Sequence, residues 1–318
     1  MIDWTKSALV FPGQGSQEVG MGADLVARYP EAAATFAVAD EILGFALSDL
    51  CFNGPADALN DTYNTQPALY LMGIALLRIL NAAFQDDVRP ALVAGHSLGE
   101  FTALTAAGAL SFTDGLRLVR ERGRLMNEAS QRAPGAMAAV LGLEADVVRD
   151  LCAQVSQQTG KTLVLANDNC PGQLVISGDK EAIDAALPLA TERGAKRALP
   201  LTVSVASHSP LMEAITADFR AVLDKTRFTA PAIPVIGNVQ AAPLTSASAI
   251  RTELGDQLTS TVRWTESVQI MRAHGIEQFI ELGPKDVLSG LIKRIDRAAE
   301  RVTLNSAESV ETFLSTYS

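Results

Sequence analysis

The pentapeptide Gly95-His96-Ser97-Leu98-Gly99 has the G-x-S-x-G form, in which a sharp turn lifts a serine hydroxyl clear of its surroundings to act as a nucleophile. Its flanks suit that use. Ala91-Leu92-Val93-Ala94 reads as a buried strand, and Leu98 to Ala107, rich in Ala and Leu, reads as a helix. The glycines permit a tight turn, and the helix N-terminus aims unpaired N–H groups and partial positive charge at the serine. A serine nucleophile needs a base to take its proton, and the chain has three histidines. His96 adjoins Ser97, and neighbouring side chains on a tight turn diverge, so it reads as a packing residue. His208 follows Val203-Ser204-Val205-Ala206-Ser207 and precedes Pro210, a strand-to-helix junction of the kind where α/β sheets collect their active sites. His274 closes an amphipathic helix before Gly275, a C-terminal capping position. His208 is therefore the leading base. A rival stays open: Ser97, Asp256 and His274 stand in the chain order of a hydrolase triad, which would pass its acyl group to water.

An arginine adds a second chemical signal. Gly115 to Met126 reads as a helix with Leu116, Val119, Gly123 and Met126 on one side, extended by Leu118 and Leu125. Arg117, Arg120 and Arg124 fall on the opposite, solvent side. Arg122 lies inside the apolar arc. A guanidinium there keeps its proton and costs several kcal/mol unless an anion meets it. It is either half of a buried ion pair or a two-pronged clamp for a substrate carboxylate. Metal and dinucleotide chemistry find no such support. No carboxylate, histidine or cysteine cluster has metal-ligand spacing. Gly13-Gln14-Gly15 lacks the third glycine of a nucleotide fingerprint, since Glu18 holds its place.

The elements that must carry these residues alternate. Ala8-Leu9-Val10-Phe11 is a strand running into the Gly-rich turn Pro12-Gly13-Gln14-Gly15, and Gln66-Pro67 opens an apolar helix holding Leu69 to Leu80. Between Pro134 and Ser204 the order becomes strand 137–143, helix 144–158, strands 162–166 and 173–177, helix 181–193 and strand 198–205, the βαββαβ order of a ferredoxin-like unit. Strand–helix alternation resumes afterwards at 234–237, 265–274, 278–282, 287–295 and 302–304, so the unit reads as an insertion. The expected fold is α/β. A hydrolase-like domain with a parallel sheet spans 1–132 and 206–318, and a ferredoxin-like α+β subdomain spans 133–205. A length of 318 residues suits two domains, and 48% hydrophobic residues supply their cores. A net charge of −10 argues against nucleic-acid and anionic-membrane partners. The N-terminus lacks the long apolar core of a signal peptide, and the most apolar run, 68–77, is cut by Arg78 at about half a membrane span. Cys51, Cys152 and Cys170 form no pairing pattern, which suits a reducing cytoplasm.

The chain resembles the malonyl-CoA:acyl-carrier-protein transacylases and the related acyltransferase domains of polyketide synthases. The likeness covers nearly its whole length. It rests on Phe11-Pro12-Gly13-Gln14-Gly15-Ser16-Gln17, Thr65-Gln66-Pro67-Ala68, Gly95-His96-Ser97-Leu98-Gly99-Glu100, Arg122-Gly123, Gly135-Ala136-Met137, Pro171-Gly172-Gln173, Ser207-His208 and Glu281-Leu282-Gly283-Pro284. The resemblance implies Ser97 as nucleophile, His208 as base, and the Gln257 carbonyl orienting that base in a dyad. It implies oxyanion N–H groups from Gln14 and Leu98, and Arg122 on the malonyl carboxylate with Gln66 beside it at the substrate site. It also implies no permanently bound cofactor, coenzyme A thioester as substrate, and an acyl carrier protein as partner, whose phosphopantetheine receives the acyl group. Two segments depart from the family pattern: Ser260-Thr261 stands where many members have Asn-Pro, and Val205-Ala206-Ser207 precedes the histidine in a region that helps select the extender unit. Local cations for docking an acidic carrier would be Arg117, Arg120 and Arg124, or Lys285, Lys293, Arg294 and Arg297.

Overall fold

A computed structural model describes residues 2–85, 88–201 and 205–317. In chain order the elements begin with β1 (Ser7–Phe11), α1 (Ala23–Arg28), α2 (Pro30–Leu43), α3 (Leu47–Asn53), α4 (Ala56–Asn60), α5 (Thr62–Ala83), β2 (Leu92–Gly95), α6 (Gly99–Ala106) and α7 (Phe112–Arg132). A second group follows: β3 (Gly135–Leu141), α8 (Ala145–Thr159), β4 (Leu163–Cys170), β5 (Gln173–Asp179), α9 (Lys180–Glu192) and β6 (Arg197–Pro200). The chain ends with α10 (Glu213–Lys225), β7 (Val235–Ile236), β8 (Pro243–Leu244), α11 (Ala247–Gln257), β9 (Val262–Arg263), α12 (Trp264–Ala273), β10 (Gln278–Leu282), α13 (Val287–Ile295), β11 (Glu300–Leu304) and α14 (Ala307–Tyr317).

The fold is mixed α/β with two sheets. One has the order β11-β10-β1-β2-β7-β8 and is parallel apart from the β7–β8 hairpin. Its central strands are buried on both faces, which explains their unbroken apolar runs. The other sheet has the order β6-β3-β5-β4-β9. Its first four strands are antiparallel and come from the βαββαβ stretch, as the sequence pattern implies.

Three expectations need correcting. The last strand of that stretch is Arg197–Pro200 rather than 198–205; Val205 lies outside any strand, and residues 202–204 lie outside the described residues. The second sheet is not closed by its own stretch alone. β9 pairs parallel with β4 through Asn167↔Val262 and Asp168↔Arg263, covering an edge that would otherwise offer unpaired backbone groups. Thr261, in the segment that departs from the family pattern, donates its hydroxyl to Leu165 O at 2.6 Å and so helps fix that junction. Finally, Pro67 sits inside α5 rather than opening it. The Asp61 side chain accepts from Tyr63 N at 2.8 Å and Asn127 Nδ2 at 2.7 Å, and this cap starts the helix earlier.

Helix α5 is the centre of the larger core, with Leu69 to Leu76 buried throughout. It is long and apolar enough to cross a membrane, but here those residues pack inside the protein. Helix α7 lies against it, and Gly123 sits where a Cβ would come 2.7 Å from Thr62 O. That close approach brings the preceding residue, Arg122, to the first turns of α5. If Asp61 sets the start of α5, Asp61→Ala should lower stability by about 1 kcal/mol in denaturant unfolding; no loss would leave Pro67 as the controlling residue.

Candidate active site

The register of the central strands builds the site. Phe11 lies opposite Gly95, so β1 and β2 end together, and His96 N donates to Phe11 O at 3.0 Å. The turn that follows is possible only with glycine. A Cβ at Gly95 would fall 1.9 Å from the Gly99 carbonyl carbon, and one at Gly99 would fall 2.0 Å from Phe11 O. Between them Ser97 adopts φ +51°, a left-handed conformation that costs a non-glycine residue of order 1–3 kcal/mol. Asn238, just beyond β7, holds it there: its Oδ1 accepts from Ser97 N at 2.6 Å and its Nδ2 donates to Gly95 O at 2.7 Å. Sequence reasoning misses Asn238, because its partners lie some 140 positions away. Its place just past a strand end, beside the nucleophile turn, is the one available signal.

Ser97 Oγ lies 2.8 Å from His208 Nε2, and His208 Nδ1 lies 2.8 Å from Gln257 O. The carbonyl acceptor assigns the ring proton to Nδ1, leaving Nε2 free to accept from the serine. His208 is buried and has φ +58°. Burial first, and the nearby Arg122 guanidinium second, push its pKa down to about 3, so the ring is neutral at neutral pH. The other two histidines are occupied elsewhere. His96 Nε2 meets Asn169 Oδ1 at 2.8 Å, with its ring edge-on to Trp264. Exposed His274 turns Nδ1 to Ile270 O at the end of α12, and Asp256 pairs with Arg220 at 2.6 Å. The alternative triad is therefore not assembled.

Arg122 is buried, as its place in the apolar arc implies. Among the described residues it has no carboxylate within ion-pair distance. Its Nη1 donates to Gln66 Oε1 at 2.9 Å, and its Nη2 to Gln257 Oε1 at 2.9 Å and Ser97 Oγ at 3.3 Å. The Phe101 ring lies 5.4 Å from the guanidinium carbon. Burial lowers its pKa to about 10, so it stays charged at neutral pH. Two glutamine oxygens supply dipoles, and the Glu100 carboxyl acts on the guanidinium only from beyond ion-pair distance. The other arginines of α7 depart in part from the expected solvent face: Arg120 is half-buried and stacks on Phe45 and Tyr63, while Arg124 pairs with Glu121 and Glu128.

These groups open on a cavity of about 350 Å³ walled by strands of the second sheet and by loops and helices at the end of the first. Met126, Met137, Val175 and Val205 make it largely apolar, and Asn169 and Gln173 line it from the second sheet. Gln14 also lines it, with its side-chain amide donating to Thr62 Oγ1 at 3.1 Å. Among the described residues, neither Gln14 N nor Leu98 N meets an intramolecular acceptor. A nucleophilic hydroxyl, a neutral base, free backbone donors and a fixed cation thus share one space, the set that acyl transfer from an anionic substrate requires.

Comparison with known proteins agrees with this geometry. The family described as acyl transferase domain matches residues 8–312. The malonyl CoA-acyl carrier protein transacylase of Bacillus subtilis is 44% identical over 312 residues, covering 98% of this chain and 97% of the relative. Among solved structures, the malonyl-CoA:acyl carrier protein transacylase of Xanthomonas oryzae pv. oryzae superimposes with a TM-score of 0.94 at 46% identity, covering 99% of each chain. A malonyl-transacylase solved in complex with its type II PKS acyl-carrier protein gives a TM-score of 0.94 at 42% identity, covering 98% of this chain and 100% of that one.

The depressed basicity of His208 is open to measurement. With three histidines in the chain, ring titration by NMR should find His208 uncharged down to about pH 3. Arg122→Gln should move its midpoint upward, because the cation that opposes the imidazolium is removed. A wild-type midpoint near the ordinary value of about 6.5 would contradict the burial argument.

Proposed function

The chain belongs to the acyl transferase domain family, and we propose that it carries a malonyl group from coenzyme A to the phosphopantetheine thiol of an acyl carrier protein in fatty acid or polyketide synthesis. Arg122 carries this reading: a buried guanidinium without a carboxylate partner, 3.3 Å from a serine hydroxyl. In a malonyl thioester the free carboxylate is one methylene from the reacting carbonyl, and that short reach matches the separation.

In the first half-reaction His208 Nε2 takes the proton of Ser97 as Oγ attacks the thioester carbonyl. The N–H groups of Gln14 and Leu98 receive the oxyanion. Coenzyme A then leaves as a thiol with the proton held by His208, and malonyl-serine remains. In the second half the carrier thiol gives its proton to His208 and attacks the malonyl ester, and Ser97 departs with that proton. The Gln257 carbonyl keeps the imidazole in the tautomer both halves need. Arg122 holds the malonyl carboxylate, with Gln66 fixing the guanidinium. The apolar walls leave few places from which water could be aligned to hydrolyse the intermediate.

No cofactor stays bound in this scheme; coenzyme A thioester is a substrate and the carrier brings its own phosphopantetheine. Residues 1–132 and 206–318 form an α/β-hydrolase-like catalytic body, and 133–205 form a ferredoxin-like subdomain that supplies the facing wall. The βαββαβ order and the strand–turn–helix around Ser97 support that division. The three buried, unpaired cysteines support a cytoplasmic setting. The carrier docks at Lys293 and Arg297, which line one groove together with Pro171; Arg294, on the same groove, is already engaged, donating to Gln173 Oε1 at 2.6 Å and to Pro171 O at 3.1 Å. Lys285 is an unsuitable anchor because it donates to Gln17 O at 3.1 Å.

Arg122→Ala should weaken malonyl transfer by about 2–5 kcal/mol, the range for removing one partner of a buried charge pair. Acetyl transfer, which presents no carboxylate, should persist. Equal losses for both acyl groups, with a falling melting temperature, would reduce Arg122 to a structural role. Joint reversal of Lys293 and Arg297 to Glu should raise the Michaelis constant for carrier, most at low salt, and leave exchange with coenzyme A unchanged. Equal effects on both half-reactions would move docking elsewhere.

A further inference from the structure

One buried carboxyl beside the site has no part in the chemistry above. Glu100 closes the Gly95-His96-Ser97-Leu98-Gly99-Glu100 run and is wholly inaccessible to solvent in the first turn of α6. An acidic residue favours a helix N-terminus equally well at the surface, so helix formation does not explain its burial. Its Oε2 accepts from Gln257 Nε2 at 2.7 Å, while Oε1 is buried with no hydrogen-bond partner among the described residues. Burial raises its pKa well above the usual carboxylate range, with the neighbouring Glu253 carboxyl adding to the effect.

We propose that Glu100 is a positioning residue for malonyl recognition, fixing the side-chain amide of Gln257 and through it the guanidinium of Arg122. The proposal rests on the malonyl transfer reading above. The Gln257 side chain has two ends, each of which must face one way. Its Oε1 accepts from Arg122 Nη2 at 2.9 Å, and an arginine can only donate, so the oxygen must face it. Its Nε2 donates to Ser97 O at 3.0 Å and to Glu100 Oε2 at 2.7 Å. Glu100 thus supplies the shorter of the two bonds that hold the nitrogen end. It does so from the helix that begins at the nucleophile turn, which ties the carboxylate clamp and the serine to one rigid element. A carboxyl oxygen accepts this bond whether or not the other oxygen carries a proton, so the arrangement needs an acceptor at this position rather than a charge. Without that acceptor the amide is held by the longer bond alone, and Arg122 loses a fixed partner opposite the Gln66 oxygen.

The test compares Glu100→Met, close in length but with only a weak thioether acceptor, and Glu100→Gln, which retains an amide oxygen. Each is assayed with malonyl-CoA and acetyl-CoA for acylation of Ser97, by intact mass at single turnover, and for labelling by a fluorophosphonate. The ratio of the two acylation efficiencies does not depend on the fraction of protein that is folded. Glu100→Met should lower the malonyl-to-acetyl ratio about tenfold, the worth of one buried hydrogen bond supporting a charged group, chiefly through KM. Glu100→Gln should keep the ratio within about threefold of wild type, under half that free energy. Fluorophosphonate labelling, which needs only Ser97 and His208, should persist in both. In a Gln257→Leu background, Glu100→Met should change the ratio no further, because the relay is already cut. A wild-type ratio retained in Glu100→Met, a loss as large in Glu100→Gln, or an additive loss in the double variant would each overturn the proposal. Failure of the transfer reading itself would look different: wild-type protein would label with fluorophosphonate yet show no preference for malonyl.

Discussion

A positive charge that cannot be neutralised, buried where only amide and hydroxyl oxygens meet it, is the constraint around which this protein is arranged. Arg122 keeps its proton at neutral pH, so its burial must be offset by dipoles in the free protein and, in the proposed reaction, by the substrate carboxylate. The surrounding sequence serves that requirement. Gly123 lets α7 close on the start of α5, bringing Gln66 to one side of the guanidinium. Helix α11 ends at Gln257, which brings an oxygen to the other. Ser97 stands within 3.3 Å because the α6 turn opens against the same two helices.

The same residue that meets the guanidinium also governs the base. Gln257 accepts from Arg122 through its side-chain oxygen and from His208 through its backbone oxygen, so in the proposed reaction charge recognition and proton transfer share one support. They share an electrostatic link as well. Arg122 disfavours the imidazolium, and a carboxylate arriving on Arg122 cancels that field. In the proposed reaction, a carboxylate on Arg122 relieves that part of the depression at His208, while the larger part, from burial, remains. An acetyl group, lacking the carboxylate, gains nothing from this coupling. The strained φ angles of Ser97 and His208 are held by the network on either side, through Asn238 and Gln257.

How much of this the sequence discloses depends on the range of the interactions. The Ser97 turn is local, set by flanking glycines and an apolar strand, and it reads directly. Arg122 reads from helical periodicity alone, since a cation within an apolar arc contradicts its surroundings. His208 follows by elimination among three histidines. Gln14, Leu98, Gln66 and Gln257 come only from family resemblance, because nothing local distinguishes one glutamine or one backbone N–H from another. Residues acting across long separations stay hidden. Asn238 reaches Ser97 from the turn after β7, and β9 completes a sheet whose other strands lie far back in the chain. Competing local signals mislead as well: Pro67 looks like a helix start until the Asp61 cap outweighs it, and Arg120 looks solvated until Phe45 and Tyr63 cover it.

Ligand-induced thermal stabilisation of Ser97→Ala protein tests the central constraint most directly, because acylation is blocked and only recognition remains. A ligand at free concentration c that binds only the folded state raises its stability by RT ln(1 + c/Kd), so at equal concentration the tighter ligand stabilises more. Malonyl-CoA should raise the melting temperature more than acetyl-CoA at equal concentration, and adding Arg122→Gln should erase the difference between them. Equal stabilisation by the two thioesters with Arg122 in place would contradict the account.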